Sequence, residues 1–164
     1  MKILERIEYY KIIKDILKSD EFQTRRNFPH HGKITVYDHS LAVSKLSYKI
    51  AKILKVDYRS AAIGGLLHDF YEKPWQTNKK KKILEKHGFT HAREAMLNSR
   101  KYFPELMNEK IENIILRHMF PLNKIPPKYI EGWIVTLADK YVSLETVKNP
   151  RFFLDLFGIG RKGE

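Results

Sequence analysis

Apolar residues recur at intervals of three and four positions along most of this chain, and such spacing is typical of one face of an α-helix. The clearest stripe starts with a histidine and consists of His39, Val43, Leu46, Ile50 and Ile53. Just before it, residues 35–38 (Thr-Val-Tyr-Asp) match a capping box, in which the Asp closes on the Thr cap. Strand signals are nearly absent, since residues 34–37 form the only short β-branched run. The pattern therefore predicts an all-α protein.

Helix start and stop signals divide the chain into about six or seven helices, which would form a compact bundle. The predicted ranges are about 2–18, 36–54, 58–71, 77–87, 90–102, 109–119 and 126–147. The first helix would have Ile3, Ile7, Tyr10 and Leu17 on one side. Residues 20–36 are predicted to be a loop, and the tail from 151 to 164 adds at most one short turn. Gly88 would end the fourth helix, and Pro127 would lie in the first turn of the last one.

Length and composition indicate one globular domain over residues 1–164. A chain of 164 residues can bury about two-thirds of its unfolded surface, and 43% hydrophobic with 30% charged residues exclude a disordered chain. The absence of cysteine excludes disulfides and thiolate metal sites, so any metal would be held by imidazole and carboxylate groups. Neither a signal peptide nor an apolar run long enough to span a bilayer is visible. We therefore expect a cytoplasmic location and no membrane partner.

The formal net charge is +12, which would attract phosphorylated small molecules, nucleic acid or another anionic surface. The alternative is that the basic residues simply form a solvated exterior. The densest run, Lys79 to Lys82, precedes Ile83 and Leu84 and is expected at the exposed start of a helix. Because no aromatic residues are interleaved with this run for base stacking, nucleic acid is the less favoured partner.

Four histidines and two aspartates lie where helices should face the core. The histidines His39, His68, His91 and His118 follow or begin apolar stripes, and Asp69 and Asp139 lie in the apolar segments LLHDF and IVTLADKY. One core histidine is more often hydrogen-bonded than bound to a metal. Several polar groups on separate apolar faces are harder to accommodate, because each costs about 1–3 kcal/mol if it is buried without a partner. A shared cation would satisfy all of them together.

These residues resemble the HD superfamily of metal-dependent phosphohydrolases, whose motif is a His, a later His-Asp pair and a distant Asp. Here the motif is His39 in YDHSLAVSKLSYKIA, His68-Asp69 in AAIGGLLHDFYEK, and Asp139 in IVTLADKYVS. The resemblance covers about residues 30–147. It implies that His39, His68, Asp69 and Asp139 hold a first metal ion, with Asp69 bridging to a second one held by His91 and His118. His87 is an alternative to His91, which we prefer because Ala95 leaves room beside it.

Helper residues are also indicated, Lys73 by the resemblance and the others by their positions beside the ligands, although each could equally be a solvated side chain. Lys73 follows the His-Asp pair, and His31 lies upstream of the first ligand, so Lys73 and His31 are candidate catalytic residues beside Asp69. Further candidates for phosphate or ion-pair contacts are Lys33, Arg93, Arg117 and Lys140. Trp75, Phe120 and Trp133 would either shape a base pocket or pack in the core.

The activity implied is hydrolysis of a phosphoester in a nucleotide or related small phosphate by a metal-activated water. The cofactors would be one or two divalent ions, with Fe, Mn, Mg, Zn, Ni and Co all compatible with imidazole and carboxylate ligands. One alternative is a di-iron oxygenase on the same scaffold. The other is a non-catalytic basic binding protein with a structural metal, which the complete ligand sets at both metal positions argue against. The oligomeric state does not follow from the sequence.

Overall fold

The computed structural model describes residues 1–30, 34–71 and 83–149, with the helical backbone but not the side chains for residues 83–90. In these ranges the chain forms seven α-helices and no strand, which confirms the predicted all-α class. The helices are α1 (Ile3–Lys18), α2 (Asp20–Gln23), α3 (Val36–Leu54), α4 (Tyr58–Leu67), α5 (Ile83–Tyr102), α6 (Glu109–Arg117) and α7 (Ile130–Lys148). Short 3-10 turns at Thr24–Asn27 and Pro104–Leu106 follow α2 and α5.

Helix α4 lies at the centre of the fold and packs against α1, α3, α6 and α7. All of its residues from Ser60 to Leu67 are buried. Two adjacent glycines permit this close packing: a Cβ on Gly65 would lie 3.0 Å from the Cα of Ser44 in α3, and one on Gly64 would lie 2.6 Å from Cγ2 of Ile114 in α6. The carboxyl end of α4 is therefore held firmly between two neighbouring helices.

The capping box predicted at the start of α3 is present. The Thr35 hydroxyl accepts a hydrogen bond from the Asp38 backbone N–H at 3.2 Å, and the Asp38 carboxylate accepts one from the Thr35 N–H at 3.2 Å. The β-branched run at 34–37 contributes only an isolated antiparallel bridge between Pro29 and Thr35. These contacts fix the point at which α3 begins, one turn before His39.

The apolar residues that the spacing groups on one side of α1 are not the ones that the helix buries. Ile3, Ile7 and Tyr10 are 76%, 48% and 50% exposed, and Leu17 is only partly buried. The residues that pack inward are Tyr9, Ile12, Ile13 and Ile16. The helix carries apolar residues on two sides, and its neighbours select between them: the Tyr9 hydroxyl donates to Ser44 Oγ at 2.9 Å, and its ring packs on Tyr48.

The predicted loop at 20–36 was also wrong in part, because it contains α2 and a 3-10 turn. Ser19 caps α2 by accepting a hydrogen bond from the Phe22 N–H at 3.2 Å. The Phe22 side chain is buried against Tyr37 and Phe70. Burial of one aromatic ring thus orders a segment whose polar composition indicated a loop.

Several predicted helix ends differ from those observed. The helix from residue 58 ends at Leu67 rather than 71, α6 ends at Arg117 rather than 119, and α7 begins at Ile130 rather than 126. Gly88 does not end a helix, because α5 runs through it. Pro127 precedes α7 instead of opening it, and it packs closely against Gly132. The predictions for residues 77–82, which include the run Lys79–Lys82, and for the tail concern residues outside the described ranges.

None of the described helices combines the length with the apolar composition needed to span a bilayer.

Candidate metal centre

Two histidines of the site directly follow helices. His68 comes after the last residue of α4, and His118 comes after the last residue of α6. Each directs Nδ1 to the backbone carbonyl three residues earlier, His68 to Gly65 at 2.8 Å and His118 to Ile115 at 2.7 Å. A backbone carbonyl can only accept, so Nδ1 carries the proton and the Nε2 lone pair is left for another partner. Both rings are oriented as metal-binding imidazoles require.

The packing of α3 against α7 joins the two ends of the motif, which are a hundred residues apart. His39, in the first turn of α3, places Nε2 3.0 Å from Oδ1 of Asp139 in α7. Around them, buried small and branched side chains of both helices form a common cluster that includes Ala42, Val43, Val135, Ala138 and Val142. His68 Nε2 lies 3.7 Å from the same Asp139 oxygen.

The Asp69 carboxylate lies between two groups of histidines. Its Oδ2 is 3.5 Å from His68 Nε2. Its Oδ1 is 3.5 Å from His91 Nε2 and 3.7 Å from His118 Nε2. The two histidines on that side place their Nε2 atoms 3.3 Å apart. Each carboxylate oxygen therefore faces a different histidine group, which is the arrangement of a bridging ligand.

These distances fit shared cations. Nitrogen and oxygen ligands lie about 2.0–2.2 Å from ions such as zinc, so two ligands of one ion are about 3.0–3.5 Å apart at ordinary angles. The pairs above are separated by 3.0 to 3.7 Å. Among the described residues, His39–His68–Asp139 and His68–Asp69–His118 are groups that could each hold a metal ion. In addition, His68 Nε2 is buried and has no hydrogen-bond partner in the described part of the chain, and a cation would supply one.

Without bound cations, the site brings oppositely charged side chains together. Burial alone would lower the pKa of His68, but the negative charges of Asp69 and Asp139 outweigh it and raise that pKa to about 9. Burial opposes ionisation of both carboxyls, yet the neighbouring histidines hold the pKa of Asp69 and of Asp139 well below the usual range. Burial, reinforced by His68, lowers the pKa of His118 to about 3. The site thus favours two carboxylates facing a positive charge.

The sequence profile of the HD domain matches residues 36–144. This chain belongs to the HD domain family. The match includes all six residues predicted as ligands from the family resemblance. No curated protein and no solved structure is significantly similar to the chain.

The other predicted site residues of this HD domain fall into two groups. His31, Lys33, Lys73 and Trp75 lie outside the described residues, as does the side chain of His87, so their roles remain predictions. Lys140 is described: its Nζ donates to the His118 carbonyl at 3.4 Å, and burial lowers its pKa. Its observed contact is therefore with the backbone carbonyl of a site histidine.

The remaining candidates are Arg93, Arg117, Phe120 and Trp133. Arg93 is exposed, and Arg117 is partly buried beside His118. Phe120 and Trp133 pack edge to face with their ring centroids 5.3 Å apart, and Trp133 is 40% exposed. Their observed contact is therefore with each other.

One site residue of the HD domain was missed by the sequence analysis. The His30 ring centroid lies 4.1 Å from that of His39, and His30, His39 and Asp69 form a third group of potential ligands. The sequence shows His30 only as half of a His-His pair in a predicted loop, without a helical stripe to give it a direction. The bridge between Pro29 and Thr35, which folds this segment onto α3, has no clear sequence signal.

Proposed function

We propose that this HD domain is a metal-dependent phosphohydrolase that cleaves a phosphoester bond of a nucleotide or a related small phosphorylated compound. The observation that carries the proposal is the position of Asp69, whose two oxygens face His68 on one side and His91 with His118 on the other. Such a bridging carboxylate is what a two-metal centre for phosphoryl transfer needs. The HD domain match supports the same class.

The ligands divide into two sets that share Asp69. His39, His68, Asp69 and Asp139 would hold one ion, and Asp69, His91 and His118 would hold the other. Bound divalent ions would lower the pKa of a coordinated water towards 7 and stabilise negative charge on the phosphate. The carbonyls of Gly65 and Ile115 keep His68 and His118 in the tautomer that presents Nε2 to the site. The orientation of these two rings thus depends on hydrogen bonds to the backbone.

Charge balance also favours a phosphate. Asp69 and Asp139 are the carboxylates in these two sets, and together they offset only half the charge of two divalent cations. An anionic substrate would supply the remaining negative charge. The formal net charge of +12 would in addition raise the local concentration of phosphates around the protein.

The exposure of the ligands indicates the side from which a substrate would enter. The side chains of His39, His68 and His118 are at most 1% exposed, whereas those of Asp139 and His91 are 14% and 19% exposed. We therefore place the entrance between the first part of α5 and the middle of α7.

The test is to strip the protein with a chelator, reload it separately with Mn²⁺, Fe²⁺, Co²⁺, Ni²⁺, Zn²⁺ or Mg²⁺, and assay each form. The substrate panel should contain phosphomonoesters, nucleoside monophosphates, cyclic nucleotides and dinucleoside polyphosphates. We expect phosphate release that requires a metal and is restricted to part of the panel. A metal-loaded protein that hydrolyses none of these compounds contradicts the proposal, and bound iron with a mixed-valence spectrum would then favour the oxygenase.

Asp69→Asn is the decisive variant. It keeps the size of the side chain but removes the bridging charge, so we expect loss of bound metal, measured by elemental analysis, and loss of hydrolysis to the background rate. Asp15→Asn is a matched control, because Asp15 is an exposed aspartate of α1, and it should keep both. Normal turnover by the Asp69 variant would exclude the proposed mechanism.

A further inference from the structure

The segment before α3 is held against the metal centre by backbone pairing. The His30 N–H donates to the Ile34 carbonyl at 2.8 Å, and the Val36 N–H donates to the Phe28 carbonyl at 2.9 Å. These two bonds flank the bridge between Pro29 and Thr35. Since Thr35 also caps α3, the position of His30 is tied to the start of the helix that carries His39.

This pairing brings the His30 side chain to the ligands of the first ion. Its ring lies against that of His39 at an interplanar angle of 33°. Ligand atoms of His30, His39 and Asp69 all lie within 4.8 Å of one another. Both ring nitrogens of His30 are shielded from solvent, and its charge contributes to lowering the pKa of Asp69. The imidazole therefore faces the inside of the cluster.

We propose that His30 is an additional protein ligand of the ion held by His39, His68, Asp69 and Asp139. This inference rests on the proposed function, because it assigns a ligand to the same metal centre. The group that contains His30 shares His39 and Asp69 with the ligand set proposed for this ion, so one ion is the simplest common partner. Five protein donors around an ion with octahedral preference leave one position for water or substrate. They also favour a metal that accepts six ligands over tetrahedral zinc.

The contrasting role for His30 is packing alone, in which its ring merely supports that of His39. His30→Phe separates the two roles, because phenylalanine keeps an aromatic ring against His39 and removes both nitrogens. Phe28→Leu is the matched control. Phe28 lies in the same paired segment and stacks on Tyr71, so its truncation disturbs the segment without removing a nitrogen ligand.

The experiment measures the binding of Mn²⁺ and Co²⁺ to metal-free protein by calorimetry, together with the visible spectrum of the Co²⁺ form. Circular dichroism first establishes that each variant is folded. We expect His30→Phe to weaken binding of one equivalent by at least about tenfold. Its Co²⁺ absorption should become more intense, because a lower coordination number strengthens these bands. Phe28→Leu should match the wild type in affinity and spectrum.

The outcomes separate this inference from the proposed function. If His30→Phe binds both ions with wild-type affinity and gives the wild-type Co²⁺ spectrum, His30 is not a ligand, although the phosphohydrolase proposal stands. If Phe28→Leu weakens binding as much as His30→Phe does, the effect comes from the segment and the inference is also overturned. If the wild-type protein binds no ion at all, both proposals fail.

Discussion

A histidine that follows the last residue of a helix can bond to a carbonyl three residues earlier, and this chain uses that arrangement twice. His68 and His118 each satisfy Nδ1 in this way, so that Nε2 of both rings faces Asp69. The cost of burying these rings is offset only when Nε2 also finds a partner. In the metal-free protein, Nε2 of His68 has to bind a proton instead, so that the ring is positively charged beside Asp69 and Asp139.

This substitution of a proton for a cation makes the stability of the metal-free protein depend on pH. The pKa of His68 is about 9 in the folded protein against an ordinary value of 6.5. Below pH 6.5 the folded and unfolded chains both carry the proton, and the stabilisation is complete. Between pH 6.5 and about 9 only the folded chain keeps it, so the free energy of unfolding should fall by about 1.4 kcal/mol per pH unit.

Urea unfolding of the protein in chelator, at several pH values from 6 to 9, measures this effect. His68→Gln is the reference, because it removes the titrating group, and the difference between the two proteins should shrink as the pH rises. The lowered pKa of His118 changes the stability with pH in the opposite direction. The folded pKa of about 3 means that stability falls as the pH drops below 6.5. A difference between wild type and His68→Gln that does not change with pH contradicts the assignment.

Helical spacing indicated that His39, His68 and His118 face the core, and the family resemblance then implied that they meet Asp69 and Asp139 at one site. The sequence was not sufficient for His30. That residue lies in a segment without periodicity, and its position depends on a two-bond backbone pairing. The orientation of the rings was likewise not predictable, because it depends on the residues at which α4 and α6 end.

The residues at which the helices begin and end determine where the site residues lie. α4 and α6 both stop one residue before a histidine, and α3 begins three residues before His39. The predictions were accurate where a side-chain cap defines the boundary, as at Thr35 and Asn108. They failed at Gly88, because α5 continues through this predicted helix end. Tertiary contacts also determine which side of α1 is buried.

The cap of α3 should be measurable by itself. Thr35→Ala removes the acceptor for the Asp38 N–H and should lower the free energy of unfolding by about 1 kcal/mol. Thr35→Ser keeps the hydroxyl and should differ from the wild type by only a few tenths of a kcal/mol. Denaturant unfolding of the three proteins at constant pH provides the comparison, and equal stability of the Ala variant would show that the capping box contributes nothing.

The close contact between α3 and α4 can be tested by the sign of the stability change that Gly65→Ala causes. At an open helical position, Gly→Ala stabilises by about 1 kcal/mol. At Gly65 the new Cβ would lie 3.0 Å from Cα and 3.2 Å from the backbone nitrogen of Ser44, so we expect destabilisation by about 1–3 kcal/mol. Arg59→Ala, at an exposed position of the same helix, should change the stability by less than about 0.5 kcal/mol. A more stable Gly65→Ala protein would disprove the close approach of the two helices.

For the molecule as a whole, the metal centre connects helices that are far apart in the chain. Its residues come from α3, the ends of α4 and α6, α5 and α7. The hydrophobic clusters already hold these helices together: one joins α1 to α4, α5 and α6, and another joins α3 to α6 and α7. Packing therefore places the ligands before any ion binds. A bound ion would then supply the positive charge that the two buried carboxylates face.

Because the unfolded chain cannot gather these ligands, ion binding should stabilise the whole fold. A free ion concentration one hundred times the dissociation constant adds about 2.7 kcal/mol, which for a chain of 164 residues corresponds to a rise in Tm of roughly 5–10 °C. Calorimetric scans of stripped protein with increasing Mn²⁺ or Co²⁺ measure this rise. Asp139→Asn should lose most of it, since Asp139 contacts both His39 and His68, while Asp15→Asn should keep it in full. An identical Tm with and without ions would mean that the folded protein binds none, and the convergence of these side chains would then need another explanation.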